Sequence, residues 1–551
     1  MKIKLIPKVL AVVTLALSMY KSDACTNLLI TRGASTDGST MLTYAADSHS
    51  LFGEAYFNPR TKYAKGEKLK IYEWDTGKYL GEIDQVEETY STISNMNEHQ
   101  VVITETTFGG LPELRNREGI MDYGSLIYVT LQRAKTAREA IDIMTSLVAE
   151  YGYYSSGESF SISDKNDVWI MEMMGKGEGK KGAVWVAMRI PDGYVSAHAN
   201  QARITQFPLN DPENCIYAED VITLARERGL YSGKDKNFSF SDVYAPLDFG
   251  AMRFCEARVW SAFNIMTKGG VDEYLDYAMG HDSSKRMPLW VKPAEKLSVK
   301  EVADIMRDHY EGTPMDMRTD IGAGGNEVPY RWRPMTFEVD GKTYFNERAI
   351  ATQQTGFWLL GQARSWLPDA VGGIIWFGTD DAATSYLTPI YSSSLEVPHS
   401  FEHGNGSMTE YSDKSAFWLT NRVTNYAYGI YNFAEPVIRE KIDNHMVKCM
   451  EEIPAIDKAA VELYNECPEK AREFLTKYSS MTAADIFNQW VELDKYLVVK
   501  FIDGNVKAED ENGFIDNGNN KGIPASPKSM GYSKKWKEAV IKDTGDKLLS
   551  K

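Results

Sequence analysis

Short apolar runs separated by turn residues open this chain. "CTNLLITR" (25–32) is followed by the turn-rich "GASTDGS" (33–39) and by "TMLTYAAD" (40–47), which predicts a β-hairpin. Such a hairpin returns Asp47 to the neighbourhood of Cys25. Further strand-like segments lie at "KLKIYEW", "VVITETTF", "DVWIMEMM", "AVWVAMRI" and "YVSAHANQ". Between Tyr123 and Tyr153 the apolar positions instead recur at three- and four-residue spacings and stop near Gly152, which predicts helix. Strands, then a helical block, then strands again point to a layered α+β fold and not to alternating βαβ units. A second strand-rich block comprises "RPMTFEVDGKTYFN", "TGFWLLGQAR" and "GGIIWFGTDD". From Ser415 to Val498 the chain reads as largely helical, and the Gly- and Asn-rich tail after Asp503 reads as loop. A soft boundary near residue 400 divides a mixed region, 25–400, from a mainly helical region, 401–551, expected to pack on it.

The first 24 residues have the pattern of an export leader. Lys2, Lys4 and Lys8 precede a stretch, Val9 to Leu17, that is apolar except for Thr14, and Ser22 and Ala24 supply the small residues of a cleavage site. Removing residues 1–24, with four lysines and Asp23, takes the formal charge from -16 to -19. No later stretch has the run of about 18 apolar residues that a membrane helix needs. The acidic balance argues against nucleic acid as a partner, because phosphate binding needs clustered Lys and Arg. The expected product is a soluble, exported, acidic protein. Of its five cysteines, Cys449 and Cys467 are the nearest pair in sequence for a disulfide, and the odd count leaves at least one thiol over.

Cleavage after Ala24 would give Cys25 both a thiol, with a pKa of about 8.5, and an α-amine, with a pKa of about 7.7–8.0. The two values lie close enough for the amine to take the thiol proton, directly or through water. Two other readings stand beside this one. A lipoprotein leader also ends before Cys, although here Ser22 occupies the position where Leu is usual and Asp23 lies in the box. A structural cysteine near a cleavage site is the third.

Several segments in series resemble one family. "CTNLLITRGASTDGSTMLTYAADS", "NMNEHQVVITETTFGG", "EYGYYSSGESFSISDKNDVWIMEM", "SAHANQARI" and "LWVKPAEKLSVKEVADIMRDHYEGTP" are similar, in order, to the cysteine-type dipeptidases among the N-terminal-nucleophile hydrolases, the group of dipeptidase A and the secernins. The resemblance implies a four-layer αββα sandwich and broad hydrolysis of dipeptides through a thioester on Cys25. It implies no metal or organic cofactor and small peptides as partners. A homo-oligomer is compatible with it, without a defined symmetry. The same chemistry would also serve an amidase of the bile-salt-hydrolase type, and a lipid-anchored binding protein is the rival from another class.

The resemblance carries roles to particular positions. Cys25 would be nucleophile and, through its amine, base. Asp47 would orient that amine; the wider acylase group has Arg three residues before this Asp, where Tyr44 stands here. Asn97, with Asn95 as its confusable neighbour, resembles the donor to the oxyanion, against an ordinary turn-capping role. Asn200 resembles a later Asn near the nucleophile. His198, two residues before it, reads as structural. Arg253 resembles the last active-site Arg, with Arg258 as the alternative. From the needs of a dipeptide, Glu105 is the candidate partner for a substrate ammonium, or else a surface carboxylate. Glu98 and His99 are read as lying behind the reacting groups or on the surface. The run "GAGGNE" (322–327) lacks the Lys-Ser/Thr of a phosphate loop, and no metal-ligand spacing occurs.

Overall fold

In the computed structural model, which describes residues 25–332 and 334–550, the opening hairpin forms. Asn27–Ile30 and Thr40–Asp47 pair antiparallel, with Leu29 opposite Leu42, Ile30 opposite Met41 and a bridge between Thr26 and Ala45. The expected leader, residues 1–24, lies outside the described residues. The hairpin is the centre of a seven-stranded sheet running Trp290–Val291, Val195–His198, Asn27–Ile30, Thr40–Asp47, Thr355–Ala363, Gly373–Thr379 and Thr388–Tyr391. The adjacent strands whose register is resolved all pair antiparallel.

A second, eight-stranded sheet is built around Val102–Gly109, Gly157–Ser163, Val168–Gly175 and Ala183–Arg189. Period-two alternation sorts its side chains. Val102, Ile170 and Val186 meet Leu29, Leu42 and Leu359 of the first sheet, whereas Ile103, Phe160, Ile162 and Trp169 face Leu126, Ile141 and Met144 of two helices. Those helices are Tyr123–Leu131, capped by Asp122, and Ala137–Tyr151, capped by Thr136 and ended at Gly152, whose φ of +83° suits glycine. The other face of the first sheet, with Leu28, Ile30 and Met41, packs on Trp260 and Phe263 of helix Ala257–Thr267 and on Met446 of the long helix Tyr431–Glu466.

The helical stretch expected from Ser415 to Val498 forms as Ala416–Tyr428, Tyr431–Glu466 and Pro468–Phe501. Their apolar faces enter cores that also hold sheet residues: Trp490 meets Tyr386 edge-on, and Ser479 accepts the Tyr391 N–H at 3.2 Å. "KLKIYEW" pairs with Tyr79–Asp84 in a separate two-stranded ribbon. The tail carries short ribbons and one helix, Lys534–Thr544, that reading it as loop omitted.

None of the five cysteines is in a disulfide. Cys449 lies within one helix and Cys467 just past its end, about 27 Å along the axis at 1.5 Å per residue, so this pair is out of bridging range. Among the described residues no helix is long and apolar enough to cross a membrane, and no group of His, Cys, Asp or Glu is placed to hold a metal ion.

Candidate active site

Alternation along the hairpin sets the geometry around Cys25. Leu29, Leu42 and Tyr44 turn toward the second sheet, and Leu28, Ile30 and Ala45 turn away from it. Cys25 shares the face of Asn27 and Leu29, and is buried there. Asn27 docks this end of the hairpin on the strand Val102–Gly109, whose pairing partner on that side reaches only Val102. In the orientation that satisfies both ends of its amide, Asn27 accepts the Glu105 N–H and donates to the Glu105 carbonyl, each at 3.1 Å. A side-chain amide thus serves where the ladder has stopped.

That docking brings the Cys25 thiol to a carboxylate. Sγ donates to Glu105 Oε1 at 3.8 Å, and the Tyr44 hydroxyl donates to the same oxygen at 2.5 Å. Tyr44, the residue standing in place of the acylase Arg, therefore engages an acid and cannot supply a guanidinium. Burial pushes Glu105 up to about 7, against the opposing pull of the Tyr44 bond. Glu158 lies diagonally across the strand pair, since Glu105 faces Phe160 and Thr107 faces Glu158. Thr107 Oγ1 donates to Glu158 Oε1 at 2.9 Å. Burial and then the charge of Glu105 raise Glu158 well above the usual carboxylate range, which favours a proton on Glu158 beside the Glu105 carboxylate. Tyr123, whose hydroxyl donates to Asp75 at 2.8 Å, and the buried Tyr153 complete the surroundings of the two acids.

Asp47 lies on the other side of the hairpin. Arg348 Nη2 donates to its Oδ2 at 2.5 Å and Thr355 Oγ1 to its Oδ1 at 2.6 Å. Burial raises its pKa, while Arg348, Thr355 and the nearby Arg258 pull it down. Arg258 is the guanidinium that reaches Cys25. Its Nη1 donates to the Cys25 carbonyl at 2.6 Å and to Thr26 Oγ1 at 2.8 Å, its Nη2 to Asn200 Oδ1 at 2.9 Å and to the Ala199 carbonyl at 3.1 Å, and its Nε to the Phe254 carbonyl at 2.7 Å. Asn200 has the left-handed φ of +62° that Asn tolerates, and its Nδ2 donates to the Thr107 carbonyl at 2.8 Å. It ties Arg258 to the same open strand edge.

Two sequence assignments require correction. Arg253 pairs with Glu347, and the position beside Cys25 that the resemblance offered to Arg253 or Arg258 belongs to Arg258. Arg253 lies inside a π-helical turn, Ala251–Glu256, and Arg258 in the α-helix that follows; the wider turn displaces the helix face by one residue, which spacing in the sequence does not reveal. Asn97 is buried with its amide fully engaged: Nδ2 donates to the Leu131 and Ala134 carbonyls at 2.7 Å each, and Oδ1 accepts the His99 and Val101 N–H groups at 3.0 Å. It has no donor left for an oxyanion, and the turn-capping reading describes it. His198 is held by Thr106 and Ser161 at 2.7 Å each and burial pulls it down to about 3, so it is neutral and structural. Glu98 pairs with Arg60, and His99 with Asp369.

Glu158 was not singled out in the sequence. The signal was present: in "GESFSIS" it shares parity with Phe160 and Ile162, a carboxylate on an apolar face.

The profile of Peptidase family C69 matches residues 59–444, most of the chain, and begins after Cys25 and Asp47. A probable dipeptidase of Latilactobacillus sakei is 25% identical over 423 residues, covering 72% of this chain and 79% of the relative. A probable dipeptidase of Salmonella dublin is 23% identical over 406 residues, 70% of this chain and 84% of the relative. Dipeptidase A of Lactobacillus helveticus is 21% identical over 503 residues, 86% of this chain and 96% of the relative. The chain belongs to peptidase family C69.

Proposed function

We propose that the protein is an exported, thiol-dependent dipeptidase that works through Cys25 as the first residue of the mature chain. The observation that carries this reading is the Cys25 thiol, placed by the hairpin against Glu105 and anchored through its carbonyl by Arg258. The contact of the two sheets, with helices on each outer side, supports a four-layer N-terminal-nucleophile arrangement.

Signal cleavage would free the Cys25 amine. That amine takes the thiol proton, the thiolate attacks the first peptide carbonyl, and the C–N bond breaks as the proton passes to the leaving amine. The product is a thioester on Sγ. Water, deprotonated by the same amine, then releases the first amino acid and restores the thiol. Arg258 and Asn200 fix the Cys25 backbone during both attacks, and the buried Asp47–Arg348 pair braces the returning strand beside it.

The test has three parts. Intact mass and N-terminal sequence of the exported protein should show a free Cys25; an acylated Cys25 would favour the anchored binding protein, and an uncut chain would remove the base. Cys25→Ala should abolish dipeptide hydrolysis without unfolding the chain, and full residual activity would overturn the nucleophile. One uncleavable residue added before Cys25 should also inactivate it. Faster turnover of acyl-amino-acid amides than of dipeptides would favour the amidase.

A further inference from the structure

We propose that Glu105 and Glu158 together form the subsite that binds the α-ammonium of the substrate, so that this enzyme measures its cut from a free N-terminus. The inference rests on the dipeptidase reading and specifies how it chooses its bond.

Three observations carry it. First, the two carboxyl groups occupy a position with no cation: among the described residues neither has a Lys, Arg or His ion-pair partner, and Glu105 Oε2 and Glu158 Oε2 are buried with no hydrogen-bond donor. Both residues are 1% exposed. Two acids buried together without a counter-ion are costly in the absence of a ligand that brings one. Second, the groups that surround them are acids or neutral donors. Glu105 bonds to Cys25 and Tyr44 and Glu158 to Thr107, and both acids lie within electrostatic reach of Asp75, Tyr123 and Tyr153. Asp75 is exposed, so negative potential extends from the surface to the thiol.

Third, the distance suits an α-amine. In any amino acid the amine nitrogen lies about 2.5 Å from the carbonyl carbon, given N–Cα and Cα–C bonds of about 1.46 and 1.52 Å and an angle of about 111°. A thiolate poised for attack lies about 3–3.5 Å from that carbon. A carboxylate receiving the ammonium must therefore lie within about 9 Å of the sulfur once a hydrogen bond of about 2.9 Å is added, and Glu105 Oε1, 3.8 Å from Sγ, is inside that reach. A substrate with a fatty or aromatic acyl chain at this position would press carbon against two buried acids.

An arriving ammonium displaces the shared proton to solvent and leaves a carboxylate pair around one cation. Binding consequently weakens as pH falls and the pair refills with protons.

The experiment compares L-alanyl-L-alanine with its N-acetyl derivative on the wild-type enzyme and on Glu158→Gln and Glu105→Gln. The wild type should favour the free amine at least 100-fold in kcat/KM. Glu158→Gln should raise KM for the free dipeptide at least tenfold, shrink the preference for the free amine by the same factor, and flatten the rise of KM at acid pH. Alkylation of Cys25 by iodoacetamide at the wild-type rate would show an intact nucleophile in each variant. Equal turnover of both compounds by the wild type, or an equal loss on both in the variants, overturns the subsite while leaving the dipeptidase standing. If the wild type hydrolyses neither compound although Cys25 alkylates, the dipeptidase reading falls and the subsite with it.

Discussion

Replacing Arg258 with Lys tests the centre of the site, because it keeps the charge and removes the fork. Arg258 makes five hydrogen bonds through three nitrogens, to the carbonyls of Phe254, Cys25 and Ala199 and to Thr26 and Asn200. An ammonium is a point donor and cannot span acceptors on the helix, the hairpin and the Asn200 turn together. At about 1.5–3 kcal/mol per hydrogen bond to a charged group, losing two of them costs about 3–6 kcal/mol. Unfolding entropy is roughly 2.1 cal/mol/K per residue, which for a chain of this length is about 1.1 kcal/mol/K, so the melting temperature should drop by about 3–5 °C. The catalytic effect should be larger. A displacement of about 1 Å at the Cys25 carbonyl is worth on the order of 10²-fold in rate, so kcat should fall about 100-fold with KM little changed. Arg253→Lys, at the Glu347 pair, should keep kcat within about twofold. Calorimetry and dipeptide hydrolysis on both variants decide the matter. A wild-type kcat in Arg258→Lys alongside a lowered melting temperature would reduce Arg258 to a structural brace, and a selective kcat loss in Arg253→Lys would reverse the assignment.

Other outcomes follow from the same contacts. Asn97→Ala removes the partner of two carbonyls and two N–H groups and, at about 1–3 kcal/mol per orphaned group, should destabilise by at least about 4 kcal/mol, with the folded fraction retaining wild-type specific activity; unchanged stability with lost activity would restore the oxyanion role. Glu105 has a folded-state pKa of about 7 against an ordinary 4.5, so between these values the native state binds more protons and its stability falls as pH rises. Glu105→Gln should therefore gain on the wild type from pH 4.5 upward, reaching on the order of 3 kcal/mol above pH 7, and an advantage that does not grow with pH in thermal melts would refute the buried charge. Arg348→Met leaves Asp47 buried without its main partner and should cost about 3–5 kcal/mol at neutral pH. Because Asp47 already titrates above its ordinary value, that deficit should shrink as pH falls, and melts at two pH values would show it.

What could be read from the chain before its fold, and what could not, divides along a physical line. The Cys25–Asp47 hairpin was legible because strand alternation and turn chemistry are local, and its register follows from the turn. The long helices were legible for the same reason, whereas the 68–74 segment was recognised as a strand without its separate ribbon, since pairing partners are not local. Asn97 misled because the residue type suits both an oxyanion donor and a turn cap, and only its buried partners decide between them. Arg253 and Arg258 differ by a π-helical turn, a backbone choice that leaves no periodic trace.

Glu105 and Glu158 show most clearly how much of the chemistry is set by long-range packing. Each is a single acid in an apolar strand, and alternation alone places each on an inward face; Glu105 shares parity with Ile103, and Glu158 with Phe160 and Ile162. One such residue is commonly satisfied by a nearby cation. Two become a site only when the register of neighbouring strands sets them diagonally and an open sheet edge admits the hairpin. Asn27 links the two, because its amide replaces a missing ladder bond at Glu105 and so holds the thiol at the acid pair. Asn27→Leu would keep the apolar hairpin face and the alternation intact. It should nonetheless separate Cys25 from Glu105, raising KM for free dipeptides while the fold persists.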